Sequence, residues 1–83
     1  MVKVKLQDAH MVVCEWYDNS HEYYVFDKIE DAKDYFRSLM KKGLKRSKTD
    51  DNGYTIEECI KQNHGYFDGR SIYITECKVL KEE

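Results

Sequence analysis

The sequence predicts an α+β fold: an antiparallel sheet of about four strands, one main helix over residues 28–42 and a short second helix over residues 56–63. Three observations predict it. Ile29, Ala32, Phe36, Leu39 and Met40 recur at three- and four-residue steps, the period of one helix face. On either side of that run the apolar residues alternate instead, as in Val2, Val4 and Leu6 and again in Ile72 and Ile74. Eighty-three residues with no proline, repeat or low-complexity stretch fit a single domain, 1–83, of regular elements and short connections.

Residues 2–6 form the first strand. Gln7, Asp8, Ala9 and His10 read as a turn into a second strand over 11–17. Asp18, Asn19 and Ser20 have turn chemistry, because short polar side chains bond their own backbone. They fold a third strand, 21–26, back on the second as a hairpin. Asp27 stands at the N-cap of the main helix with Glu30 three residues on, a capping-box spacing, and Gly43 supplies the stop. After a loop at 49–53 the alternation from Tyr54 to Ile60 fits a strand. A second capping box, Thr55 and Glu58, favours a helix instead, with Ile56, Cys59 and Ile60 on one face and Gly65 placed as a C-cap. Asp68-Gly69 then turns the chain into a last strand over 70–80, and Lys81, Glu82 and Glu83 read as a frayed tail. The order is ββααβ with an extra strand at the N-terminus.

Composition narrows the function classes. The N-terminus alternates apolar and charged residues, unlike a signal peptide, and no stretch approaches the ~20 apolar residues that cross a bilayer. A cytoplasmic protein without membrane contact is expected. Cys14, Cys59 and Cys77 are odd in number and lack the close pairs of a zinc site, so they read as reduced, buried thiols with no metal and no cofactor. His10, His21 and His64 join no cysteine pair at ligand spacing. Asp50, Asp51, Glu57 and Glu58 could be drawn as carboxylate pairs with His64 as a base. Nothing sets a nucleophile beside a base, so no catalytic residue and no enzyme are expected.

Charge is unevenly spread. Lys41, Lys42, Lys45, Arg46 and Lys48 form a +5 segment, so a formal net charge of −2 leaves −7 on the remainder. Such a segment can track a nucleic-acid backbone, and cations also belong at a helix C-terminus.

Strand alternation has a further consequence. Val12, Cys14 and Trp16 share one face of their strand, with Met11, Val13, Glu15 and Tyr17 on the other. Tyr24 and Phe26 oppose His21, Tyr23 and Val25, and Ile72 and Ile74 oppose Tyr73, Thr75, Cys77 and Val79. Both faces are apolar enough to want cover. Either loops and the second helix cover the second face, or it is a tyrosine-rich binding or dimer surface.

Tyr24-Val25-Phe26-Asp27 running into Glu30-Asp31-Ala32-Lys33-Asp34-Tyr35-Phe36 resembles an element of small acidic orphan proteins from phages and mobile elements. The resemblance spans about a quarter of the chain, and its residues are structural. It implies a context: such proteins include inhibitors of host proteins, anti-CRISPR and other anti-defence types among them. The expected function is therefore a non-enzymatic protein-binding module of the inhibitor kind, acting through an acidic, tyrosine-bearing surface. Its partner would be a host protein, for instance a nucleic-acid-binding defence complex. Tyr17, Asp18, Glu22 and Tyr23 at the hairpin are the candidate contact residues, and a homodimer through the second sheet face is the other use of that surface. The alternative is a small nucleic-acid-binding module using Lys41, Lys42, Lys45, Arg46 and Lys48. An acidic isoelectric point of about 5.9 weighs against it.

Overall fold

Two long strands, β1 (Val4–Glu15) and β4 (Arg70–Glu82), pair antiparallel along their whole length and form the spine of the molecule. The computed structural model describes residues 3–82. Val2, expected in the first strand, and Glu83, expected in the tail, lie outside them. Among the described residues β2 (His21–Phe26) and β3 (His64–Phe67) complete one sheet in the order β2-β1-β4-β3. Between β2 and β3 the chain crosses one face of the sheet as α1 (Ile29–Leu44) and α2 (Ile56–Lys61). The α+β fold class and the two helices are as the sequence predicts. No helix among the described residues is long and apolar enough to cross a membrane.

The helices cover the face bearing Val12, Cys14, Ile72 and Ile74. Phe36 and Met40 are fully buried there with Ala32. Tyr24 and Phe26 are half-buried against Tyr35, with ring centroids 4.7 and 5.5 Å apart. Leu39 shares the expected face but is only half-buried, near the edge of the layer.

Several boundaries differ from the sequence reading, each for a packing reason. Residues 7–10 are not a turn. They continue β1 because residues 76–79 of β4 pair with them, setting Asp8 opposite Lys78 with a 3.0 Å ion pair. Lys81 and Glu82 are strand, not tail. Asp27 does not cap α1. Lys28 holds the N-cap with no side-chain hydrogen bond, and Asp27 turns to Lys81 at 3.6 Å. Gly43 does not stop α1 either. It lies inside the helix, where an added Cβ would sit 1.9 Å from the Phe67 ring, and Lys45 makes the C-cap at φ 55°. Gly65 is buried in β3, where a Cβ would meet the Met40 sulfur at 2.7 Å. The Thr55–Glu58 capping box is present, but α2 ends at Lys61 and leaves room for β3. Asp68 and Gly69, at φ 51° and 70°, make the two-residue hairpin loop that joins β3 to β4.

The molecule measures 53 × 27 × 17 Å. Its length comes from the spine, since twelve strand residues span ~40 Å while the sixteen of α1 reach only ~24 Å. Strand β2 ends where Phe26 meets His10, so residues 4–9 and 77–82 pair only with each other. They project as a two-stranded arm whose Val4, Leu6 and Leu80 are exposed on the helix side.

Candidate functional site

The hairpin residues singled out in the sequence do not form one patch. Tyr17 and Asp18 lie in the β1–β2 connection. Tyr17 is 82% exposed and rests beside Gly69. Asp18 Oδ1 accepts the Ser20 hydroxyl at 2.7 Å and its N–H at 3.0 Å, and those bonds hold the carboxyl below its usual range. Residues 22 and 23 then alternate across the sheet. Glu22 is on the helix side, taking the Tyr24 hydroxyl at 2.7 Å, and Tyr23 is on the opposite face, stacked on His21 with centroids 5.9 Å apart.

The basic segment lies at the same end of the molecule. Lys41 and Lys42 occupy the last turn of α1, where cations meet the negative end of the helix dipole. Lys45, Arg46 and Lys48 follow in an exposed loop. Lys42 and Lys45 line a depression of about 230 Å³ together with Glu22. Lys45 and Arg46 line the neighbouring one, about 530 Å³. The acidic and basic candidate surfaces therefore meet at a single mixed-charge end.

Two residues that the sequence reading passed over hold the smaller depression together. The Arg70 guanidinium lies 3.6 Å from the centroid of the Trp16 ring and 5.7 Å from that of Phe67. It is placed there by the β3–β4 turn, which sets Arg70 opposite Phe67. Cys14 lies below, its thiol pushed up by burial, raised further by Glu22 and lowered in part by Arg70. The available signal was the pattern Phe67-Asp68-Gly69-Arg70, a hairpin turn flanked by an aromatic and a cation.

The carboxylates considered for acid–base work each have a structural partner. Glu57 pairs with Arg37 at 3.0 Å, and Glu58 accepts the Thr55 N–H at 3.1 Å. Asp51 accepts the Asp68 N–H at 3.2 Å. Asp50 is buried. It accepts the N–H groups of Asn52 and Tyr54 on one oxygen, and the Tyr66 N–H and the Cys59 thiol on the other. His64 stands in β3 on the side away from the helices. Among the described residues no three His, Cys, Asp or Glu side chains gather as metal ligands.

The face away from the helices is the other candidate. No helix of the described residues crosses it. It carries Met11 and Val13 of β1, Tyr23 and Val25 of β2, and Tyr73, Thr75, Cys77 and Val79 of β4. Its acidic and basic residues stand at the two ends of the spine, Lys5 and Lys81 in the arm and Glu15 beside the hairpin, where Glu15 accepts the Tyr73 hydroxyl at 2.8 Å. Tyr23 is 59% exposed and Val25 49%. Cys77, read as a buried thiol, is only half-buried here. No protein-family model, curated protein or solved structure matches the chain.

Proposed function

We propose that this protein is a non-enzymatic protein-binding module of the inhibitor or adaptor kind, and that the tyrosine-bearing face of its sheet is the contact surface. One observation carries the reading. A chain with 36% charged residues keeps the middle of this face free of them and fills it with Met11, Val13, Val25, Tyr23 and Tyr73. An antiparallel sheet whose second face meets only water ordinarily alternates to polar residues there. Tyrosine supplies contact area at low entropic cost and is enriched where proteins meet.

The partner that fits is a protein with a flat apolar surface rimmed by basic residues, because −7 of formal charge lies outside the basic segment and steers association. The resemblance to phage inhibitors makes a host protein, such as a component of a defence complex, the occupant to test first. Nucleic acid is the second reading, supported by Lys45 and Arg46 lining the wider depression.

The test compares Tyr23→Ala/Val25→Asp with Lys45→Ala/Arg46→Ala, both checked for folding, in retention of proteins from a host lysate with and without nuclease. Loss of a nuclease-resistant partner in the first variant alone supports the reading. Loss in the basic variant together with nuclease sensitivity would move the nucleic-acid reading to first place. Protection of Cys77 from alkylation in the complex maps contact to the sheet face. A stable dimer in sedimentation, broken by Tyr23→Ala/Val25→Asp, would assign that face to a second copy instead.

A further inference from the structure

We infer that the depression beside Trp16 is a binding site for a carboxylate, with Arg70 as its anchor. The guanidinium carbon lies over the indole, 3.6 Å from its centroid and 5.7 Å from that of the Phe67 ring. Stacking fixes the plane of an arginine and leaves its N–H donors pointing outward in that plane, which suits paired bonds to a flat oxyanion. The described residues offer Arg70 no such acceptor. Its Nε–H is buried without a hydrogen-bond partner, and Arg70 makes no ion pair among the described residues. Leaving a buried charged donor unmatched costs free energy, and native structures seldom carry one without a reason. A carboxylate bound in the depression would meet the Nη groups of Arg70, which likewise have no ion pair among the described residues.

Charge and size select the ligand class. Arg70, Lys42 and Lys45 face Glu22 and Asp68 across the depression, three cations against two carboxylates, so the site complements one negative charge. A phosphate monoester, nearer two negative charges at neutral pH, would exceed it. At about 230 Å³ the depression falls below the ~300–1,000 Å³ of pockets that enclose drug-sized ligands. Trp16, Phe67 and Leu39 give it apolar walls. A small organic acid fits, as does the carboxylate end or an acidic side chain of a peptide. This site is on the helix side and at the tip, so it stands or falls separately from the sheet face.

Trp16 is the only tryptophan, so its emission reports directly on the stack. Benzoate serves as the free-acid probe and an acetylated tripeptide with a free C-terminus as the peptide probe. Benzamide, the peptide amide and inorganic phosphate are the controls. We expect saturable changes in Trp16 emission and in the Arg70 Nε–H resonance with the carboxylates in the millimolar range, the tighter probe identifying the source, and no change with the amides. Arg70→Lys keeps the charge and loses the fork, and should weaken binding about tenfold or more. Lys42→Gln, on the helix surface, should weaken it several-fold with the fold intact, so the test survives if Arg70 variants unfold. The inference is overturned if benzamide shifts Trp16 as benzoate does, if neither carboxylate saturates, if folded Arg70→Lys or Lys42→Gln binds like the parent, or if phosphate binds more tightly than both acids.

Discussion

Asp50 shows how much one buried side chain can organise. Burial pushes its carboxyl up, but N–H groups from Tyr54, Tyr66 and Asn52 and the Cys59 thiol outweigh that and hold it below the usual carboxylate range. Through them a single group ties the 49–55 loop, α2 and β3 together. A depressed carboxyl stabilises the fold above its unfolded pKa, about 4, and that contribution is lost as pH falls through the folded value. Thermal melts of the parent should therefore weaken below about pH 4, and Asp50→Asn should flatten that fall while lowering stability at neutral pH by about 2 kcal/mol. Asp18 and Glu57 are depressed as well, by Ser20 and Arg37, but they are solvent-exposed and screening leaves them little weight. An unchanged acid limb in Asp50→Asn would show that other carboxylates govern it. The same contact sets thiol reactivity. Burial and then Asp50 push Cys59 up to about 12, so it stays protonated and should alkylate last, with half-buried Cys77 first.

Helices and strands reveal what a linear pattern can carry. Local chemistry was legible: the apolar stripe of α1, the Thr55–Glu58 box, the Asp68-Gly69 turn and the faces of the residues named in the hairpin strands and the last strand, though β3 was missed. Long-range packing was not. Gly43 and Gly65 resemble helix stops until Phe67 and Met40 are seen to need the space their missing side chains leave. Residues 7–10 resemble a turn until β4 arrives from the other end of the chain to pair with them. The site was divided in the same way. Tyr17, Asp18, Glu22 and Tyr23 could be named from the hairpin, but not Arg70 and Trp16, which are distant in sequence and meet only through the β1–β4 register. Gly43→Ala separates the two kinds of information. Helix propensity alone predicts a gain approaching 1 kcal/mol, whereas overlap with the Phe67 ring predicts a loss of about 1–3 kcal/mol. Packing should win, lowering the melting temperature by up to about 16 °C in a domain of this size. A higher melting temperature would mean that the Phe67 ring moves aside freely.

For the whole molecule, the charge pattern yields a kinetic expectation. If −7 of formal charge outside residues 41–48 steers a basic partner, association should slow as salt rises, while dissociation, set by the apolar sheet face, changes little. Asp18→Lys/Glu22→Lys should lower the association rate several-fold, as read by stopped-flow or surface binding. A salt-independent rate would remove steering from the account. The spine has a different consequence. Because β1 and β4 are partners from Val4↔Glu82 to Glu15↔Ser71, β1 leaves the ribosome long before β4 and must wait for it. The β1–β2 hairpin and α1 emerge earlier but cannot close the centre of the sheet, and such non-local pairing is slow because loop entropy is spent before the contacts form. Nascent chains ending before Arg70 should remain protease-sensitive, and protection should appear in one step once β4 is released. Until then the same tyrosines proposed to face a partner in the finished protein are surface for a chaperone to hold.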